Sequence, residues 1–294
     1  MAILYYFVGI VGCGKTTVAR KMCGENDLFL DSDALRAELL SGEEDQSNNA
    51  LIFNEMQNRT VAALNAEQNV FYIACNIWSK KRIQFLKSLR QRVKEPFEAK
   101  CFIIEAPIKV CRERNSARSR IVPAYVIDRQ LRQFEIPYFG EGWNIIEVIH
   151  NYTVKEGQKC VDEILNKVYD FGDQKNEHHS LTLMDHCNNA YEYACKNNFP
   201  TEVKGAALLH DYGKAWTAEY WEKDGGKNQH FPNHANVGAW LALQQGMSLT
   251  VAQLINYHML HYTDEKCQTV WRARLGEKLW SDLALLYEAD QAAH

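Results

Sequence analysis

A chain of 294 residues has room for two domains with cores of their own, on a prior of about 100–200 residues per domain. Its formal net charge of −4, with 37 acidic against 33 basic residues, excludes a global field that gathers polyanions, so any nucleic-acid contact must come from local basic patches. No apolar run approaches the roughly 20 residues of a membrane span, no secretory leader is visible, and nine cysteines without a Cys-x-x-Cys pair suit a reducing compartment. A cytoplasmic protein with no membrane partner is therefore expected.

In chain order, the apolar run 3–8 reads as a buried strand and leads straight into Gly9-Ile10-Val11-Gly12-Cys13-Gly14-Lys15-Thr16. Glycines let such a loop turn its N–H groups toward phosphate oxygens, the lysine reaches the outer phosphates, and the threonine hydroxyl sits on Mg²⁺. A helix over 16–23, closed by Gly24, completes the context of a P-loop. Gly9, Gly12, Cys13, Gly14, Lys15, Thr16 and Thr17 are thus the candidate residues for ATP or another NTP, with Mg²⁺ on Thr16.

Residues 27–33 read as a short strand ending in carboxylates, followed by a helix over 34–40. Asp33 and Arg36, three apart at the helix start, share a face. One can take a proton from an attacking hydroxyl while the other holds charge on a substrate phosphate. A helix is expected over 48–68, a strand over 69–75, and a second helix over 79–93 that carries Lys80, Lys81, Arg82, Lys87, Arg90 and Arg92, with Lys94 just beyond. That basic face is either solvated or turned to nucleic acid. A strand over 100–105 precedes the cluster Arg112, Arg114, Arg118 and Arg120, in which Arg114 and Arg118 are expected on one helix face. Phosphoryl transfer needs such cations around the transferring group. A helix over 125–134, a strand over 143–149 and a last helix over 154–169 complete an α/β domain with a parallel sheet in three layers.

The P-loop, Asp33-x-x-Arg36, the run Arg114-Asn115-Ser116-Ala117-Arg118 and Val122-Pro123, in this order, resemble the kinase module of the polynucleotide 5′-kinase family over roughly residues 1–150. The resemblance implies transfer of the NTP γ-phosphate to the 5′-OH of RNA or DNA. It makes Asp33 the general base and places Arg36 near the acceptor phosphate and Arg118 on the NTP phosphates. The family pattern has an acidic residue at the third strand, where this chain reads Ile73-Ala74-Cys75-Asn76. The Mg²⁺ shell therefore lacks an acid at that place.

Residues 171–176 read as a polar connection, with one domain over 1–170 and another over 176–294. Nine of the ten histidines follow it, and only His150 precedes it. Helical patterning places His186 on one helix, His210-Asp211 at the end of a second, His234 at the start of a third, His258 at the end of a fourth, and Asp290 near the C-terminus. Six imidazole and carboxylate ligands exceed what one tetrahedral ion needs, so two divalent transition ions are expected, Mn, Fe, Co, Ni or Zn, bridged by a carboxylate such as Asp211.

This half resembles the HD phosphohydrolase superfamily, whose order His…His-Asp…His…His…Asp falls on these six residues. The resemblance implies an all-α domain with Lys214 aimed at the scissile phosphate. His179, His230 and His261 are left as surface or supporting histidines, although His230 is near enough to His234 to exchange roles with it. Together the halves resemble bifunctional end-healing enzymes that phosphorylate 5′-OH ends and remove 3′/2′ or 2′,3′-cyclic phosphate from RNA or DNA ends before a separate ligase acts. Two other readings stay open: a nucleoside or nucleotide kinase fused to an HD nucleotidase, and an NTP-gated switch.

Overall fold

The computed structural model describes residues 1–175, 181–222 and 225–293. Its N-terminal half runs β1 (Ala2–Val8), α1 (Lys15–Met22), β2 (Leu28–Asp31), α2 (Ser32–Leu39), α3 (Asn49–Asn65), β3 (Val70–Ile73), α4 (Ser79–Arg92), β4 (Phe97–Glu105), α5 (Ile108–Ser116), α6 (Ala124–Arg132) and β5 (Ile145–His150). The strands form one parallel sheet in the order β2-β3-β1-β4-β5. Every residue of β3 is buried, the pattern of a strand covered on both faces by helices. Aromatic rings tie β1 to its neighbour, with Tyr5 stacked on Phe71 at 4.4 Å and Tyr6 on Tyr72 at 4.9 Å.

Parallel strands all end on the same side, so the P-loop after β1, Asp31 at the end of β2, Asn76 after β3, Glu105 at the end of β4 and Asn151 after β5 share one rim. That rim is where open α/β sheets bind ligands.

Two expectations change here. Helix α5 stops at Ser116 because the Asn115 amide turns back on the chain, donating to the Val122 carbonyl at 2.7 Å and accepting from its N–H at 3.0 Å. Arg114 therefore lies on the helix and Arg118 on the loop beyond it, not on one helix face. On the basic helix, Arg82 is fully buried, with Nη2 and Nε 2.6 and 2.7 Å from the Glu141 carboxylate and Nη1 3.0 Å from the Asn76 carbonyl. Trp143 adds its indole N–H to Glu141 at 2.7 Å. A paired charge explains why arginine is tolerated there. The other basic residues of 80–94 are exposed.

By packing, the chain divides into two units, Met1–Gln130 with Pro137–Tyr152, and Leu131–Ile136 with Thr153–His294. The second contains α7 (Val154–Phe171), α8 (Leu183–Lys196), α9 (Thr201–Leu209), α10 (Lys214–Thr217), β6 (Glu219–Tyr220), β7 (Gln229–His230), α11 (His234–Gln244), α12 (Leu249–Tyr257), α13 (Glu265–Leu275) and α14 (Glu277–Gln291). Helix α7, expected as the last element of the first domain, belongs here: its buried face of Cys160, Ile164 and Val168 packs with α8, α10 and α11. Residues 131–136 join it because Phe134 meets Trp240 edge-on at 4.7 Å. The Ile136 N–H also bonds Asn256 Oδ1 at 3.0 Å, and its carbonyl accepts from Tyr257 at 2.7 Å. Among the described residues its elements are helices apart from the short antiparallel pair β6–β7, where Trp221, just after β6, stacks on His230 at 3.8 Å. Almost all of α11 is buried, making it the central helix.

Candidate functional sites

At the P-loop, Gly12 and Gly14 adopt φ of 84° and 92°, which other residues rarely do, and a Cβ on Gly12 would lie 2.1 Å from the Cys111 carbonyl oxygen. The loop thus needs glycine for both shape and clearance. Gly14 caps α1, leaving that helix's first N–H groups directed at the loop, a ready anion site. Lys15 is buried with Nζ 3.0 and 2.9 Å from the Gly9 and Ile10 carbonyls, and Thr17 is exposed at the third position of α1. Burial pushes the Cys13 thiol up, so Cys13 offers its backbone rather than a thiolate. Arg114 reaches this loop: its Nη1 lies 3.7 Å from where a Gly14 Cβ would sit and is buried with no hydrogen-bond partner among the described residues. A glycine cradle beside an unpartnered guanidinium fits the phosphates of a nucleotide.

A carboxylate from β2 reaches the P-loop threonine. Thr16 donates to Asp31 Oδ2 at 2.8 Å, while Asp31 Oδ1 caps α2 by accepting from the Asp33 N–H at 2.9 Å. Sequence reasoning missed this role, since Asp31 and Asp33 share one Asp-x-Asp run and only topology shows which reaches the P-loop threonine.

Asp33, in turn, is ringed by cations. Arg36 Nη1 is 2.8 Å from Oδ1, Arg120 Nη1 is 3.3 Å from Oδ1, and Arg118 Nη2 is 3.8 Å from Oδ2. Arg36 is the fixed member, buried and bonded also to the Ser32 carbonyl and to Asn49 Oδ1. Arg118 and Arg120 are looser and keep 40% and 25% of their side chains exposed. Arg118 was expected at the NTP phosphates, yet it is Arg114 that faces the P-loop and Arg118 that faces Asp33. Arg120 was not foreseen as a site residue.

In the second unit the six expected ligands converge. They form two triads, His186–His210–Asp290 and Asp211–His234–His258, with the ligand atoms of each within 4.8 Å of one another. Asp211 lies between them: Oδ2 is 3.4 Å from both His186 and His210 Nε2, and Oδ1 is 3.3 and 3.8 Å from His234 and His258 Nε2. Asp290 Oδ1 is 3.1 Å from His186 Nε2 and 3.4 Å from His210 Nε2.

Local structure sets the ring directions. His210 and His258 directly follow α9 and α12, and their Nδ1 atoms donate to carbonyls three residues back, Ala207 at 2.9 Å and Ile255 at 2.7 Å. His234 Nδ1 does the same to Phe231 at 2.9 Å. With Nδ1 committed as donor, Nε2 is the lone-pair atom of the neutral ring. The Nε2 atoms of His234 and His258 nonetheless face each other at 3.2 Å, an arrangement that a shared cation satisfies. Two imidazoles and a carboxylate per triad suit a borderline divalent ion. Gly213 allows the His-Asp turn to meet α11, since a Cβ there would stand 2.0 Å from the His234 carbonyl oxygen.

Charges within the cluster respond to one another. Burial opposes charge on His186, but its bonds to Asp211 and Asp290 outweigh this and push its pKa up to about 9. His210 is raised in the same way against its burial. Burial together with His234 and His210 drives His258 down to about 3. Asp211 stays far below the usual carboxylate range despite burial, because Lys214 and His210 hold its charge.

Lys214, expected at a scissile phosphate, is buried with Nζ 2.6 Å from Asp211 Oδ2 and 2.8 Å from Gln174 Oε1. Gln174 belongs to the stretch read as a polar connection, but it is buried here. Tyr262, also unforeseen, donates to Asp290 Oδ2 at 2.6 Å. His230 stacks on Trp221 and His261 lies against Trp280, so neither joins a triad. His179 lies outside the described residues.

Residues 4–137 match the family model described as an AAA domain, and residues 176–291 match that of the HD domain. No curated protein matches the chain. Among solved structures, a fungal RNA kinase is 14% identical with a TM-score of 0.39, the match covering 58% of this chain and 44% of that one. The chain thus spans less than half the length of that kinase. A Chloroflexus aurantiacus protein described as a kinase is 16% identical with a TM-score of 0.41, covering 56% and 96%. A gluconokinase from Sinorhizobium meliloti is 16% identical with a TM-score of 0.34, covering 57% and 95%. No described helix is long and apolar enough to cross a membrane.

Because an imidazole must give up its Nε2 proton to bind an ion, and His186 holds that proton up to about pH 9, divalent-metal affinity should rise with pH. Calorimetric Mn²⁺ titrations of the metal-stripped chain between about pH 6 and pH 9, in buffers of different ionisation enthalpy, should show a gain of about tenfold per pH unit for each displaced proton. A pH-independent affinity without proton release would contradict this picture.

Proposed function

We propose that this chain, a P-loop kinase-like domain joined to an HD domain, is a nucleic-acid end-healing enzyme that phosphorylates 5′-OH ends and removes phosphate from 3′/2′ or 2′,3′-cyclic ends. The observation that carries the reading is that each half holds a complete centre: a P-loop rim with a carboxylate among three arginines, and two His₂Asp triads sharing Asp211.

In the first centre Lys15, Arg114 and the loop N–H groups would hold the NTP phosphates, and Thr16 with Asp31 would hold Mg²⁺. Asp33 accepts the proton of the 5′-hydroxyl as its oxygen bonds the γ-phosphorus, and the bond from that phosphorus to the β–γ bridging oxygen breaks to release the nucleoside diphosphate. Arg36 keeps Asp33 in place. Arg118 and Arg120, partly exposed, exchange Asp33 for the phosphate that flanks the acceptor hydroxyl, which favours a polynucleotide end over a neutral nucleoside. Tyr125 and Ile121, 67% and 61% exposed beside this loop, offer apolar surface for bases.

In the second centre the two triads would hold two divalent ions, which when bound would supply a polarised phosphate and a water nucleophile near neutral pH. The chain's own contribution is to split Asp211 between the triads, to hold its charge with Lys214, and to fix the rings through their Nδ1 bonds. In the net reaction water's oxygen bonds phosphorus, the ester P–O bond breaks, and the ribose oxygen takes up a proton.

Given ATP, Mg²⁺, Mn²⁺ and an RNA oligonucleotide with a 5′-OH and a 2′,3′-cyclic phosphate, the chain should convert both ends, resolved on a denaturing gel. No change at either end, with turnover of free nucleosides or nucleotides instead, would place it in monomer metabolism. In the same assay Asp31→Asn should slow 5′-phosphorylation by about 10–100-fold, with a raised Mg²⁺ requirement, and leave the 3′ end reaction as it was. Unchanged Mg²⁺ dependence would remove Asp31 from the metal site.

A further inference from the structure

A single short 3-10 turn, His258–Tyr262, touches both triads. At its start His258 stands in the triad with Asp211 and His234. At its end, four residues on, the Tyr262 hydroxyl bonds Asp290 Oδ2 at 2.6 Å, on the carboxylate of the other triad. The direction of that bond is fixed by a neighbour. Gln291 Nε2 donates to the phenolic oxygen at 2.8 Å, and an amide nitrogen can only donate, so the phenol's one proton points at Asp290.

Asp290 is thereby divided between two tasks. Oδ1 faces His186 and His210 at 3.1 and 3.4 Å, and Oδ2 is held by the phenol. The ring is itself set, meeting Tyr287 edge-on at 5.0 Å, while Tyr287 stacks on His261 at 5.6 Å. The ligand-bearing end of α14 is thus fastened to the turn that begins with His258. Tyr262 is 46% exposed, so core packing does not by itself explain its place at a ligand carboxylate.

We propose that Tyr262 is a positioning residue that makes Asp290 a one-oxygen ligand and couples the two triads, so that an ion in one favours an ion in the other. An ion on His258 fixes the turn, the turn fixes Tyr262, and Tyr262 presents Asp290 Oδ1 to the second ion. By linkage the coupling runs equally in reverse. This rests on the reading of the triads as a two-ion centre.

The test uses the full chain, stripped with a chelator and titrated with Mn²⁺ without nucleotide, with uptake followed by calorimetry and spin-coupled pairs by electron paramagnetic resonance. Wild type should bind two ions at the triads with positive cooperativity. Tyr262→Phe, which keeps the ring against Tyr287, should keep one tight site, lose about 10–100-fold at the other, and lose the cooperativity and the coupled signal at matched Mn²⁺. Gln291→Leu, which leaves the phenol but not its orientation, should show a smaller loss in the same direction. Tyr262→Phe with two sites of wild-type affinity and cooperativity would overturn the coupling while leaving the two-ion centre intact. A wild-type chain that takes up no Mn²⁺ would overturn the two-ion reading and the proposal with it.

Discussion

A charge withdrawn from water must meet an opposite charge or an ion, and this constraint arranges both halves of the chain. Asp211 shows it most clearly. Its carboxylate is almost wholly buried, with Lys214 on one oxygen and histidines of two triads around both. Those partners come from α8, α10, α11 and the segments that close α9 and α12, so the helices of the second unit meet where the carboxylate requires them. Gly213 permits the closest of these approaches, and the imidazoles are turned inward by carbonyls of their own helix ends or turns.

The same demand shapes the first unit, with a different outcome. Arg82 and Glu141 neutralise each other inside the fold, their remaining bonds going to the Asn76 carbonyl and the Trp143 indole. Asp33, at the rim, keeps one rigid arginine and two loose ones. Pairing that is closed on all sides gives structure; pairing that a phosphate can enter gives a site. Asp31 illustrates the economy of the rim, since one carboxylate caps α2 and orients the P-loop threonine.

Much of this was legible in the residues because it depends on spacing within one element. The P-loop is a single contiguous turn between a strand and a helix. Of the six candidate ligands, His210, Asp211, His234 and His258 stand at predicted helix ends, where the three rings can reach carbonyls three residues back. What spacing cannot encode is which side of an element meets a distant one. Asp31 and Asp33 are equivalent in a string and differ only by reach to Thr16. Arg82 looks like its exposed neighbours until Glu141, 59 residues away, is brought beneath it. Arg118 follows Arg114 at helical spacing, but Asn115 bonds Val122 and ends the helix between them. Helix α7 is amphipathic in either half, and only packing assigns it to the second.

Under the proposed function the chain holds two chemically separate centres, one to move a phosphoryl group from a nucleotide and the other to hydrolyse a phosphoester. The most direct measurement compares folded Asp33→Ala and Asp211→Ala with the wild-type chain on RNA bearing a 5′-OH and a 2′,3′-cyclic phosphate, scoring each end. Asp33→Ala should abolish 5′-phosphorylation and spare the other end, and Asp211→Ala should do the reverse. A folded variant of either kind that lost both reactions would contradict the separation of the two centres.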